Sequence, residues 1–205
     1  MSKTLIMGLT GQTGAGKSVV SAICRGWGIP SIDTDEVYHT LLIPPSACLN
    51  ELVAAFGSGI LKTDGSLDRP ALAAIVFAAD ATEKRELLNR ITHRYVLEAV
   101  RAICRELAAQ GVPAVLVDAP LLYESGFDRE CDHVLAVLAS PDVRLCRIMA
   151  RDGLSLSAAT ARMQAQHPDD YYLRADGVLH NDGNTPDDLI PHLRSLLSEW
   201  GVPLP

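Results

Sequence analysis

The sequence predicts an α/β protein: a three-layer α/β/α phosphate-loop fold on a five-stranded parallel sheet, with a helical insertion and a lid. Three observations predict it. A short apolar run, Leu5-Ile6-Met7, leads into Gly11-Gln12-Thr13-Gly14-Ala15-Gly16-Lys17-Ser18, a gapless match to G-x-x-x-x-G-K-[ST], and the apolar stretch 19–24 then starts a helix. Short apolar runs of strand length recur at residues 29–32, 114–118, 132–138 and 176–180, separated by helical patterns. Between the runs at 29–32 and 114–118 the strands vanish, and residues 41–106 turn helical, broken at Pro44-Pro45 and at the turn Lys62-Thr63-Asp64-Gly65.

The loop comes first because its chemistry is the most narrowly defined. Glycines at 11, 14 and 16 permit backbone angles closed to other residues, so consecutive N–H groups can turn inward around a phosphate. The positive end of the helix opening near Lys17 falls on the same spot. Lys17 supplies a full charge for the β- and γ-phosphates, and the Ser18 hydroxyl can ligate Mg²⁺. The nucleotide contacts are therefore expected from Gly11, Thr13, Gly14, Ala15, Gly16, Lys17, Ser18 and Val19.

The second strand ends in Asp33-Thr34-Asp35-Glu36. Residues just past a parallel strand's carboxyl end face the ligand crevice, which puts two carboxylates near the phosphates. The same residues also read as a helix cap. In the helical stretch, Leu49, Leu52, Val53 and Phe56 form one apolar stripe, Asp68-Arg69-Pro70 starts a helix, and residues 83–109 form a third. His93 falls in that third helix, where a histidine is commonly a surface or interhelical polar group, and Tyr95 reads as core. The strand at 114–118 ends in Asp118, a position from which a carboxylate helps hold Mg²⁺.

After the fourth strand, Ser140-Pro141 caps a helix over 142–151 bearing Arg144, Arg147 and Arg151, and a helix over 157–166 bears Arg162. These arginines read either as a solvated face or as a lid closing over a triphosphate, whose transferring phosphoryl group needs cations. A fifth strand near 176–180 and a last helix over 187–200 complete the chain. The expected division is a nucleotide-binding core at 1–38, 107–144 and 174–205, an acceptor-binding insertion at 39–106, and a lid at 145–173.

Composition narrows the partners. The 205 residues are 48% hydrophobic and 21% charged, an ordinary globular balance with a formal charge of −7. No lysine- and arginine-rich block stands out, which argues against a nucleic-acid partner. Five scattered cysteines form no C-x-x-C pair, so neither a disulfide framework nor a zinc site is expected. With only a brief apolar run near the N-terminus and no stretch of roughly 18 apolar residues, the expectation is a cytoplasmic chain with no membrane partner.

Three kinds of phosphate-loop protein fit such a chain. A GTPase switch needs D-x-x-G, and no glycine here has an aspartate three positions before it. It also needs N-K-x-D; the nearest stretch, Asn184-Thr185-Pro186-Asp187, lacks the lysine and reads as a turn and cap. A motor or transport ATPase usually brings more chain. A nucleotide sensor has no use for the carboxylates and lid arginines, whereas a small-molecule kinase uses them all.

The chain resembles the dephospho-CoA kinases over residues 8–183. The resemblance rests on the loop, on Ile32-Asp33-Thr34-Asp35, and in the insertion on Phe56-Gly57, Asp64-Gly65, Leu67-Asp68-Arg69, Ile75-Val76-Phe77 and His93. It continues through Asp118-Ala119-Pro120-Leu121-Leu122, Arg151-Asp152, Arg162-Met163 with Gln166, and Asn181. It implies ATP-dependent phosphorylation of the ribose 3′-hydroxyl of dephospho-CoA, the last step of coenzyme A synthesis, with ATP as co-substrate and Mg²⁺ held by Ser18 and Asp118. Carried over by position, Asp35 is the hydroxyl-orienting group or general base, with Lys17 and Arg151 completing the catalytic set. Arg147 and Arg151 reach the ATP phosphates, and Thr10, Asp33, Asp35, His93 and Leu121 serve the acceptor. A monomer is expected. One departure stands out: Arg94 occupies the place where a proline usually follows the insertion's histidine, which raises the question of a changed helix bend.

Overall fold

A computed structural model describes residues 3–78, 80–183 and 185–205. In chain order, β1 (Leu5–Gly11) leads to α1 (Lys17–Gly26), β2 (Ser31–Asp33), α2 (Thr34–Leu41), α3 (Ala47–Phe56), α4 (Arg69–Val76) and α5 (Thr82–Ala109). Then follow β3 (Ala114–Asp118), β4 (His133–Leu138), α6 (Pro141–Asp152), α7 (Leu156–Gln164), α8 (Asp169–Tyr172), β5 (Gly177–His180) and α9 (Ile190–Glu199). The chain divides into two compact units, one made of residues 1–32 and 104–205, the other of residues 33–103.

The first unit holds the five-stranded parallel sheet, in the order β2-β3-β1-β4-β5. β1 lies in the middle, pairing Leu9 with Asp118 of β3 and Gly11 with Val137 of β4. This register explains the fold's use. Strand order reverses around β1, and ligands of open parallel sheets bind beyond the carboxyl ends of the strands at such a reversal. One sheet face, carrying Met7, Leu9, Leu116, Leu135 and Leu179, packs against Val20 and Cys24 of α1 and Leu193 and Leu197 of α9. On β1 the alternate residues serve the other face. A Cβ added at Gly8 would meet Leu122 at 2.8 Å, so glycine lets that face close tightly.

The second unit is helical, with a core of its own built from Leu49, Leu52, Ile60, Leu72, Val76 and Ile91. The expected stripe of α3 holds, with Leu49 and Leu52 buried and Val53 and Phe56 packed against them. Asp68 caps α4 by accepting from the Ala71 N–H at 3.0 Å, and Pro70 occupies the first turn as such a cap favours. α5 runs without interruption through Arg94, so the question of a changed bend there is answered by a continuous helix. The Arg94 guanidinium instead pairs with Glu51 of α3 and lies 4.8 Å from the Tyr95 ring centroid.

Tyr95 packs against the second unit's core as a half-buried ring, with its hydroxyl donating to Glu51 at 2.9 Å. Two local expectations are corrected. Ser140 sits at the N-cap of α6 but makes no side-chain cap bond; its N–H donates to Asp182 at 2.6 Å. The final helix begins later than expected, since Pro186–Asp188 forms a 3-10 turn in which the Asp188 carboxylate accepts from the Thr185 N–H. Asn184, the start of the expected turn and cap, lies outside the described residues. Among the described residues no helix is long and apolar enough to cross a membrane.

Candidate active site

The loop between β1 and α1 is shaped by close approach. A Cβ at Gly11 would lie 2.2 Å from the Val137 carbonyl of β4, and one at Gly16 would lie 2.1 Å from the Asn181 amide nitrogen. With φ angles of 141° and 102° at these positions, glycine is required on both counts. Gly16 is also the N-cap of α1 and brings no capping side chain. The first turn of the helix is thereby left to present its N–H groups and positive end to an anion. Lys17 Nζ donates to the Gly11 carbonyl at 3.0 Å, which draws its charge back along the loop.

Side chains from the far end of the sheet brace the loop from outside. Asn181, just past β5 and buried, donates from Nδ2 to the Ala15 carbonyl at 2.7 Å. Arg147 of α6 donates to the carbonyls of Asn181 at 2.9 Å and Gly183 at 3.1 Å, with longer contacts to Gly14 and Ala15 at 3.4 and 3.5 Å. Arg144, one turn earlier on the same face, donates from Nε to the Thr13 carbonyl at 3.0 Å and from Nη2 to Gln166 at 3.0 Å. Burial pulls the Arg144 pKa down. Gln12 is buried as well, donating from Nε2 to the His167 carbonyl at 3.2 Å and the Asp169 carboxylate at 2.9 Å.

Asp118 arrives beside the loop through its pairing with Leu9, and Ser21 of α1 donates from Oγ to its Oδ2 at 3.3 Å. The Ser18 hydroxyl is exposed on the first turn of α1. A hydroxyl and an oriented carboxylate are hard oxygen donors, and Mg²⁺ with a bound nucleotide takes one or two such protein ligands and keeps several waters. The residues present fit that ion. Among the described residues there is no cluster of three or more histidine, cysteine or acidic groups of the kind that cages a metal by itself.

Sequence-predicted residues fare differently. Gly11 through Val19, Arg147, Asp118 and the buried Thr10 all belong to the first unit's loop and its surroundings. Arg151 does not touch the loop: its guanidinium lies on Asp152 in a two-bond fork of 2.7 and 2.9 Å, and Arg162 joins the same carboxylate at 2.8 Å. These cations hold the Asp152 carboxyl below its ordinary pKa. Leu121 is about half exposed in the segment after β3. Asp33 caps α2, its Oδ1 accepting from the N–H groups of Asp35 at 2.9 Å and Glu36 at 3.3 Å. Asp35 therefore sits exposed in the first turn of α2, where the helix's positive end favours a carboxylate. His93 is half-buried in α5.

Sequence reasoning placed Arg144 among the lid arginines and not as a brace of the loop, although it lies three residues before Arg147 and shares its helix face. It missed Gln166, Asn181 and Gln12 as parts of the site. For these three the contacts span 22 to 166 residues of chain, and nothing local announces them.

A parallel sheet with a glycine loop feeding a helix N-terminus, a paired lysine and serine, and an aspartate on the adjacent strand defines a phosphate-loop nucleotide-binding protein of the small-molecule kinase type. The model of the dephospho-CoA kinase family matches residues 5–187. The dephospho-CoA kinase of Geobacillus kaustophilus is 41% identical over 198 residues, covering 96% of this chain and 97% of that one. Among solved structures, TT1252 of Thermus thermophilus superposes with a TM-score of 0.79 at 35% identity, over 97% of this chain and 98% of that one. The dephospho-CoA kinase of Campylobacter jejuni superposes with a TM-score of 0.69 at 28% identity, over 95% and 96% of the respective chains. The chain belongs to the dephospho-CoA kinase family.

Proposed function

We propose that this enzyme transfers the γ-phosphoryl group of ATP to the ribose 3′-hydroxyl of dephospho-CoA, giving CoA and ADP in the last step of coenzyme A synthesis. The observation that carries this reading is the match of 183 residues, 5–187, to the family, together with an intact phosphate loop whose outer side is braced by buried polar side chains.

The proposed division of labour follows from which groups are fixed and which are exposed. The loop amides and Lys17 hold the β- and γ-phosphates, and the end of α1 adds its dipole. Mg²⁺, when bound by Ser18 and Asp118, neutralises charge on the phosphates. Asp35 orients the acceptor hydroxyl and takes its proton as the new bond forms to phosphorus and the bond to the ADP oxygen breaks. Thr10 and Asp33 support the acceptor side, the second by fixing the helix turn that carries Asp35; His93 and Leu121 contact the acceptor. Residues 145–173 form a lid, with Arg147 on the nucleotide in the ground state. Arg151 exchanges Asp152 for the transferring phosphoryl group as the lid closes. Residues 39–106 bind the acceptor's CoA portion, and the protein acts as a cytoplasmic monomer.

The test is ADP release with Mg-ATP and a panel of dephospho-CoA, adenosine, AMP, CMP, shikimate and no acceptor. Turnover confined to dephospho-CoA is the expected result. Turnover with a different member of the panel overturns the substrate assignment and keeps the kinase chemistry. Tight ATP binding with every acceptor idle favours a nucleotide sensor.

A further inference from the structure

The loop's phosphate-facing groups are backbone N–H groups, and a peptide bond is planar and trans, so each N–H points opposite to the carbonyl of the preceding residue. Fixing that carbonyl on the outside of the loop therefore aims the next N–H inward. Two carbonyls of this loop are fixed in that way by bonds of 3.0 Å or less, beside the longer contact of Arg147 to the Gly14 carbonyl at 3.4 Å. Arg144 Nε holds the Thr13 carbonyl at 3.0 Å, which directs the Gly14 N–H; Asn181 Nδ2 holds the Ala15 carbonyl at 2.7 Å, which directs the Gly16 N–H. Both side chains are nearly inaccessible to solvent, at 5% and 4% exposure, so water does not compete for these bonds.

Glycine makes this bracing necessary. Gly14 and Gly16 have the softest backbone of any residue type, and an unbraced glycine loop would spread its N–H directions over many orientations. Gln166 completes the brace. Its Oε1 accepts from the Thr13 N–H at 2.9 Å and from Arg144 Nη2 at 3.0 Å, so Thr13 is held at both its N–H and its carbonyl while the guanidinium is locked in place. Arg144 comes from α6, Gln166 from the segment after α7, and Asn181 from the end of β5.

We propose that Arg144, Gln166 and Asn181 are positioning residues that set the direction of the Gly14 and Gly16 N–H groups and so determine affinity for the polyphosphate of the nucleotide. None of them need touch the substrate; they act through the peptide planes of Thr13 and Ala15. The inference rests on the nucleotide-binding part of the proposed function and is independent of which acceptor is used.

The experiment measures equilibrium binding of ATP and of inorganic tripolyphosphate to the whole protein by calorimetry, for wild type, Gln166→Leu, Gln166→Glu and Asn181→Ser. Gln166 is only partly buried, so Gln166→Leu is the variant least prone to misfolding; Asn181→Ser keeps a polar group but cannot reach Ala15. Gln166→Leu and Asn181→Ser should each weaken ATP and tripolyphosphate by the same factor, about tenfold, in protein held well below the melting temperature of each variant. Gln166→Glu keeps the acceptor oxygen and should recover most of the affinity. A merely structural role would lower the melting temperature and leave the tripolyphosphate affinity of the folded protein unchanged, which overturns the proposal. So does a loss for ATP that tripolyphosphate does not share, because the defect then lies with the nucleoside, and so does a Gln166→Glu as weak as Gln166→Leu. Should Asn181→Ser fail to fold, the Gln166 pair decides alone. Since binding is read without acceptor, a wild type that binds ATP but ignores dephospho-CoA refutes the substrate assignment and leaves this inference standing.

Discussion

The phosphate loop and the first turn of α2 both carry candidate reacting groups, and they are built on opposite plans. Around the loop, Thr10, Gln12, Arg144 and Asn181 are all buried, and the carbonyls of Thr13 and Ala15 are tied down by side chains from distant parts of the chain. At the start of α2, Asp33, Asp35 and Glu36 are all exposed, and the Asp33 side chain caps the turn that carries them. The difference matches the tasks. A cradle of backbone amides works only if its peptide planes are fixed before the phosphate arrives, which requires many bonds shielded from water. A carboxylate that orients a hydroxyl and accepts its proton works through one side chain, and a short capped turn suffices to aim it.

The sharpest way to break this contrast is to remove one reacting group from each side. Lys17→Ala should abolish turnover and weaken ATP binding as well, because its charge serves the bound phosphates. Asp35→Asn should also abolish turnover, a loss of about 10²- to 10⁴-fold or more, while ATP affinity and melting temperature stay at wild-type values. ADP release and calorimetric ATP binding measure both. Near-wild-type turnover in folded Asp35→Asn removes Asp35 from its catalytic role.

Within α6 the same contrast recurs on a smaller scale. Arg147 already lies on the loop's carbonyls, whereas Arg151 lies on Asp152. Arg147→Ala should therefore raise the dissociation constant for ATP about tenfold in the absence of acceptor. Arg151→Ala should leave that constant nearly unchanged and lower kcat by about 10²-fold, the usual cost of losing one preorganised group at a developing charge. Equal effects of both variants on ATP binding would erase the distinction between ground-state and transition-state arginines.

What the sequence made legible follows the same line. The loop, its lysine and serine, and the strand ending in Asp118 are consecutive or period-bound signals, and all lie where their spacing implied. The helical character of residues 47–76 was equally plain, since the apolar stripe of α3 and the Asp68 cap are local features. The brace was not legible. Asn181 meets Ala15 across 166 residues and Gln166 meets Thr13 across 153, and no periodicity encodes a contact made by sheet order and helix packing. Arg151 shows a different limit: its helix position was right, but a neighbouring carboxylate claims its guanidinium in this state.

A third test separates charge from packing at the base of α6. The Asp182 carboxylate accepts the Ser140 N–H at 2.6 Å beside the helix N-terminus, and that bond holds its pKa below the ordinary carboxylate value. A folded-state pKa below the unfolded one contributes stability above the unfolded value, and the contribution is lost as pH falls through the folded one. Asp182 is exposed, so the contribution is modest, under about 1 kcal/mol. Urea midpoints of wild type should exceed those of Asp182→Asn at pH 7, and the gap should close as pH drops below about 4. A gap that stays constant to pH 3 would mean that shape, not charge, holds the helix start.

The smallest effect is expected at the Arg94–Glu51 pair of the second unit. Arg94 continues α5 where a proline would interrupt it, and its guanidinium pairs with Glu51 of α3 while Tyr95 donates to the same carboxylate. Arg94 and Glu51 are about 51% and 36% exposed, so solvent screens the pair and its loss costs little. Arg94→Ala should lower the melting temperature by no more than about 2 °C. Arg94→Pro removes a backbone donor from the helix interior as well as the ion pair, and should cost far more. Binding of ATP belongs to the loop of the first unit and should be unchanged in Arg94→Ala. An altered ATP affinity in that variant would show that the Arg94–Glu51 pair of the helical unit is energetically coupled to the phosphate loop.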